Sequence, residues 1–217
     1  MRPLTVFCLA AAALSGSALA EGRDWSGFYA GAHSGYGWGQ NRLADDNPAY
    51  FYEIDPGGVI GGGQLGYNYQ FGAYLIGLEG DATIGALDKR MDPADAGGAF
   101  DEVSIEVDYL ASVRLRFGMV FDDTLIYATG GVGFAAWTDR NFIGGSEFGD
   151  GADHDRTGWT AGLGVEHGVA EQWTAKVEYL HYGFDDEIQP PAMFWYIGAD
   201  NFESSFDTVK VGLNYHF

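Results

Sequence analysis

Val209-Lys210-Val211-Gly212-Leu213-Asn214-Tyr215-His216-Phe217 closes the 217-residue sequence, and its reading decides the fold. Val209, Val211, Leu213, Tyr215 and Phe217 share one parity; Lys210, Gly212, Asn214 and His216 share the other. A period of two puts the first set on one face of a β-strand and the second on the opposite face. A strand that is apolar on one side, polar on the other and followed by nothing is an uncommon finish for a soluble sheet. It directs attention to the same pattern upstream.

Seven more segments show it. Strands are expected at about Gly27–Trp38, Val59–Gln70, Ala73–Gly85, Val103–Phe117, Thr124–Trp137, Gly158–His167 and Trp173–Phe184, before a last one at Phe206–Phe217. In the fourth, Val103, Ile105, Val107, Tyr109, Ala111, Val113, Leu115 and Phe117 oppose Ser104, Glu106, Asp108, Ser112, Arg114 and Arg116. The connections alternate in length. Short turns fall at Phe71-Gly72, Gly118–Asp123 and Gly168–Gln172, and long connections at about 39–58, 86–102, 138–157 and 185–205. Eight dyad strands with short turns at one end and long loops at the other describe an all-β, antiparallel up-and-down transmembrane barrel. A soluble lipocalin-like or streptavidin-like barrel shares the strand count. It would bury the aromatic parity and present the charged one to water.

The first residues read as an export signal. Met1-Arg2 is a short positive region, Leu4–Leu14 an apolar core, and Ala18-Leu19-Ala20 a cleavage site. Residues 1–20 are therefore expected to be removed, leaving 21–217 as one barrel domain starting at Glu21. The apolar run is too short for a spanning helix of about 20 residues. Cys8, the only cysteine, lies inside it, so the mature chain is expected to hold no disulfide and no cysteine-ligated metal.

Composition agrees with a barrel. Eleven basic residues against 31 acidic give a net charge of −20, which argues against a nucleic-acid partner. Thirty-four glycines accompany 15 Phe, 13 Tyr and 6 Trp. Glycine relieves crowding in a narrow lumen, and aromatic residues suit lipid and its interfaces. Trp25 and Trp173 are expected at one rim, and Trp38, Trp137 and Trp159 at the other, as an interfacial girdle.

The chain resembles the small porin-like family of outer-membrane immunogenic proteins. The resemblance is carried by Trp25–Gly31, Gly62–Asn68, Gly77–Asp81, Tyr127–Gly131, Gly158–Gly164, Lys176–Leu180 and the closing strand. It implies an eight-stranded barrel in the outer membrane of a Gram-negative cell, both termini periplasmic. Its partners would be outer-membrane lipid, lipopolysaccharide and the barrel-insertion machinery, which reads Val209, Val211, Leu213, Tyr215 and Phe217 as an assembly signal. Loops would meet host or surface ligands. The resemblance carries over no catalytic residue and no cofactor.

The inward parity gathers the candidate site. Glu79, Asp81, Glu106, Asp108, Glu166 and Glu178 face Arg114, Arg116, Lys176 and Lys210. Buried opposite charges must pair or hydrate. The charges are expected to plug an interior only about wide enough for side chains. The alternative is a narrow, cation-preferring small-solute channel, motivated by six inward acids against four bases. A lipid-A-editing barrel is the third reading. It would need His181, on the outward parity, with Asp185, Asp186, Ser204 or Ser205 as acid and nucleophile. The long connections gather most of the acidic residues, Asp207 counted with the last of them. Asp150-Gly151-Ala152-Asp153-His154-Asp155 is oxygen-rich but lacks EF-hand spacing, so no metal is assigned. One mutational contrast follows: arginine at the lipid-facing Ala111 should cost more than at the lumenal Ser112.

Overall fold

A computed structural model describes residues 23–44, 53–54, 57–85, 87–91, 102–143, 146–147, 152–184 and 201–217. Eight long strands carry the architecture: β1 (Gly27–Ala44), β2 (Gly57–Phe71), β3 (Tyr74–Gly85), β4 (Glu102–Phe121), β5 (Thr124–Ile143), β6 (Ala152–Gly168), β7 (Trp173–Phe184) and β8 (Asn201–His216). Each pairs antiparallel with its sequence neighbours. β8 returns to β1, in register from Tyr29↔His216 to Ala44↔Asn201, and the sheet closes. Closure leaves none of the eight long strands at an edge, the condition for a sheet to lie in hydrocarbon, where an unpaired backbone group costs several kcal/mol.

The alternation runs inside out. In β3, Leu75, Gly77, Glu79, Asp81 and Thr83 are buried, while Tyr74, Ile76, Leu78, Ala82 and Ile84 are exposed. In β4, Leu115 is 61% exposed and its neighbour Arg116 is 0% exposed. A water-facing wall would reverse this. The lipid-facing assignment of the aromatic parity follows.

At one end, β2–β3 and β4–β5 turn in two residues, Gly72-Ala73 and Asp122-Asp123, with the first residue of each at positive φ. β6–β7 turn through 169–172. At the other end β3 and β7 stop where expected, while the remaining strands run on past the expected limits, and many residues read as loop belong to them. Glu102 lies in β4, Asp139 in β5, Asp153 and Asp155 in β6, and Glu203 and Asp207 in β8. Three short pieces add to this end: Glu53–Ile54 on β1, Leu87–Met91 on β4 and Ser146–Glu147 on β5.

The alternation assumed for the whole fourth strand is broken. Val107 pairs with Trp137 but Tyr109 with Ala136, so Asp108 has no partner in β5. This bulge shifts the register of everything before it by one residue relative to Tyr109–Phe117. Periodicity alone does not reveal an inserted residue.

Candidate functional site

The barrel interior is the candidate site, and it is built in three layers. The first closes the short-turn end. Trp25, which precedes β1, turns into the lumen and packs with Leu75, Leu125 and Tyr127, against which Val120 also rests. Its backbone N–H donates to Gln70 Oε1 at 2.9 Å, and its ring meets His216 edge-on at 5.6 Å. Asp24 accepts from the Ser26 N–H at 2.9 Å, and the Ser26 donors hold its carboxyl below the usual aspartate range. Arg23 reaches the carbonyl of Ala170, which ties this segment to the β6–β7 turn. Trp25 therefore does not belong to a lipid-facing girdle. It is fully buried, because an indole placed over the mouth of a narrow barrel finds more apolar contact inside than at the rim.

The middle layer is ionic. Lys176 Nζ donates to both Glu79 oxygens at 3.1 Å, Arg114 to Glu79 at 2.5 Å and Glu178 at 3.1 Å, and the Tyr29 hydroxyl to Glu79 at 2.7 Å. Arg116 donates to Glu166 at 2.7 Å and lies between two rings, its guanidinium 3.9 Å from the Tyr127 centroid and 5.4 Å from that of Tyr29. Asp81 accepts from Lys210 at 2.6 Å and from Arg114 and Ser112. Asn214 and Thr174 complete Glu166 at 2.7 and 2.5 Å, and the Tyr127 hydroxyl donates to Glu178 at 2.9 Å. Four carboxylates thus meet four cations, each with hydrogen bonds that replace lost water.

Space for the tyrosines comes from glycine across the strand. Tyr29 lies opposite Gly66 and Tyr127 opposite Gly164. A Cβ at either glycine would fall 2.4 or 2.3 Å from the tyrosine ring.

The third layer is apolar again. Ile60, Leu110, Ala135, Leu180, Tyr182, Phe184 and Phe206 fill the lumen beneath the long connections. Phe184 stacks on Tyr182 at 6.5 Å and meets Phe206 edge-on at 6.2 Å. Sequence reasoning missed this layer, because it read the inward parity as polar throughout. The signal was present: Leu110, Leu180, Phe184 and Phe206 all sit on the same parity as lumenal charges.

Glu79, Asp81, Arg114, Arg116, Glu166, Lys176, Glu178 and Lys210 are all brought together in the ionic layer. The side chains of Glu106 and Asp108 lie outside the described ones. The excess of two inward acids therefore has no counterpart in the described layer, which is neutral. Trp38, Trp159 and Trp173 lie on the outward parity, Trp173 at the start of β7 but Trp38 and Trp159 well inside β1 and β6, whose strands run on beyond the expected rim; the side chain of Trp137 lies outside the described ones. Val209, Val211, Leu213 and Phe217 face outward, and Tyr215 packs between Trp173 and Phe217 at 5.2 Å from each. Of the lipid-A-editing candidates, Asp185 and Asp186 lie outside the described residues, as does the side chain of Ser204, and Ser205 is half-buried on β8. His181 pairs instead with Asp207. Asp150 and Gly151 also lie outside the described residues, with the side chains of Asp153 to Asp155. An apolar hollow is lined mainly by outward-parity residues, among them Phe117, Met119, Ile126, Ala128, Leu163 and Val177.

Comparison with known proteins places this geometry. The family model for the outer membrane protein beta-barrel domain matches residues 6–217. The 31 kDa outer-membrane immunogenic protein of Brucella melitensis biotype 1 is 30% identical over 210 residues, covering 89% of this chain and 84% of that protein. The 22 kDa outer membrane protein of Rhizobium leguminosarum bv. viciae is 28% identical over 202 residues, with 89% and 79% covered. Among solved structures, Neisserial surface protein A superposes with a TM-score of 0.50 at 11% identity, over 88% of this chain and 98% of that one, a likeness of fold.

Proposed function

The chain belongs to the outer membrane protein beta-barrel domain family and resides in the outer membrane, and from that premise we propose that it is a structural, surface-interacting barrel whose lumen does not conduct solutes. The observation that carries this reading is the filled interior. Two apolar layers enclose an ionic one in which four bases neutralise four acids. A channel needs a continuous aqueous path; here Trp25 and the Phe184–Phe206 pair stand across the two ends. The names of the Brucella relatives, immunogenic proteins of the outer membrane, support surface exposure.

In this reading residues 1–20 are the cleaved export signal, and both termini and the short turns face the periplasm. The long connections face out, where they meet host or surface ligands. The outward residues of β8 up to Phe217 serve the insertion machinery, and Trp38, Trp137, Trp159 and Trp173 anchor the interfaces. The barrel catalyses no reaction. Planar-bilayer recording of the refolded protein tests the reading: the expected result is no resolved step above the unmodified bilayer. Large, stable, cation-selective steps would overturn it in favour of the channel. Mass spectrometry of lipid A from cells with and without the protein should show identical species, and a changed acylation or phosphorylation pattern would restore the enzyme.

A further inference from the structure

The outward wall carries a feature that spanning a membrane does not require. Among the described strand side chains of the outward parity, Asp207 is the only Asp, Glu, Lys or Arg. A carboxylate there is costly unless its hydrogen bonds are made, and an ionisable group in such a place points to a function. Asp207 Oδ1 accepts from the Tyr179 hydroxyl at 2.5 Å and faces His181 Nδ1 at 2.8 Å. Both described contacts fall on Oδ1, and Asp207 itself is 8% exposed, seated beneath the partners it orients. Nδ1 of His181 engages the carboxylate, and the ring's other nitrogen is a second hydrogen-bonding atom of the patch. Strand register sets His181 on one side of Asp207 and Trp38 on the other. Trp159 completes the patch: its ring centroid lies 5.2 Å from that of His181, and its indole covers Gly183. Trp159 remains 47% exposed.

We propose that Trp159, His181, Asp207 and Tyr179 form a binding site for the sugar headgroup of an outer-leaflet glycolipid. A flat, half-exposed indole offers a surface for the C–H face of a pyranose. The Tyr179 hydroxyl and the His181 imidazole beside it, both oriented by the buried Asp207 carboxylate, meet the sugar's hydroxyl groups. A phosphate suits the patch poorly, because the outward parity described here offers no lysine or arginine and does offer a carboxylate. The position selects the source. The patch lies on the outward parity of the wall, toward the long-connection end of β7 and β8. A lipid-borne sugar reaches it directly. The site thus rests on the outer-membrane reading with the long connections outside.

The test uses full-length mature protein refolded in detergent micelles containing lipopolysaccharide truncated to its acylated diglucosamine. Native mass spectrometry counts the glycolipid kept per barrel. Wild type should retain it. Asp207→Asn and Trp159→Leu should each lower retention at least fivefold, while Ile84→Ala, which trims an exposed rim residue on β3, should leave it unchanged. Heat-dependent gel mobility reports whether each variant is folded; Trp159→Leu leaves the carboxylate and its partners in place and provides a second route if Asp207→Asn does not fold. Three results would overturn the site: a folded wild type that keeps no glycolipid, equal loss in Ile84→Ala, or equal retention of phosphatidylglycerol, which would make phosphate the ligand. Free glucosamine binding as tightly would move the sugar to a soluble source and also overturn it. A wild type that does not insert into phospholipid vesicles would instead defeat the outer-membrane reading, and this site with it.

Discussion

The lumen and the outer wall of this barrel are made by the same strands, one residue apart, and follow opposite rules. Inside, Arg114, Arg116 and Glu166 are buried and held by several partners each. Outside, Leu78, Leu115 and Phe117 are exposed. The inner face is tightly coupled, so a change there leaves a partner stranded. The outer face is a solvent boundary where lipid replaces whatever is removed. Position on the parity, more than residue type, should set the cost of a substitution.

The largest effect is expected for Arg116→Ala. It removes the arginine partner of Glu166 and one of the three basic partners of Glu79, leaving the buried Glu166 carboxylate without a lysine or arginine, at a cost of roughly 3–5 kcal/mol. Urea unfolding in lipid vesicles measures it. A cost below 1 kcal/mol would mean that water already fills the layer. Next comes Leu115→Arg, which places a charge on the lipid face and should cost roughly 2–4 kcal/mol if Leu115 is near the bilayer midplane. The same unfolding series, compared with Arg at the rim residue Val59, gives the depth. Equal costs at the two positions would displace the membrane from mid-barrel.

The contrast between Ala111→Arg and Ser112→Arg does not separate the two faces as the sequence suggests. Ser112 is buried, donates to Asp81 and lies beside Arg114. Arginine there meets both crowding and a like charge, so both variants should be damaging. Gly164→Val is a cleaner probe of the interior. It drives a side chain into the Tyr127 ring and should cost roughly 1–3 kcal/mol. Gly164→Val combined with Tyr127→Ala should recover part of that loss, and no recovery would break the assigned pairing. The smallest effect is expected for Leu78→Ala, an exposed lipid-facing truncation worth about 0.5 kcal/mol on insertion scales. A loss of several kcal/mol would indicate that the wall near Leu78 packs against another protein.

How far the sequence carried the fold is visible strand by strand. β7 was legible to the residue at Trp173–Phe184, because a short turn marks its start and its alternation is unbroken. β1, β5 and β6 were read too short at the long-connection end, where pairing with a neighbouring strand sustains strand structure that local composition does not favour. The bulge at Asp108 was invisible, since one extra residue changes the register without changing the composition.

The sequence by itself determined which face most strand residues take, up to the bulge at Asp108, because a strand alternates with a period of two and lipid admits only one of the two parities. It also determined that charges would gather inside. Only the tertiary structure decided who pairs with whom. Lys176 and Glu79 are 97 residues apart, and Asp81 and Lys210 are 129 apart. Their meeting depends on closure and stagger of the whole barrel, not on any local pattern. Trp25 as a plug, the apolar layer under the long connections, and Asp207 beside His181 have the same origin. Each depends on what stands across the lumen or on the next strand, and a linear chain does not contain that distance until the sheet has closed.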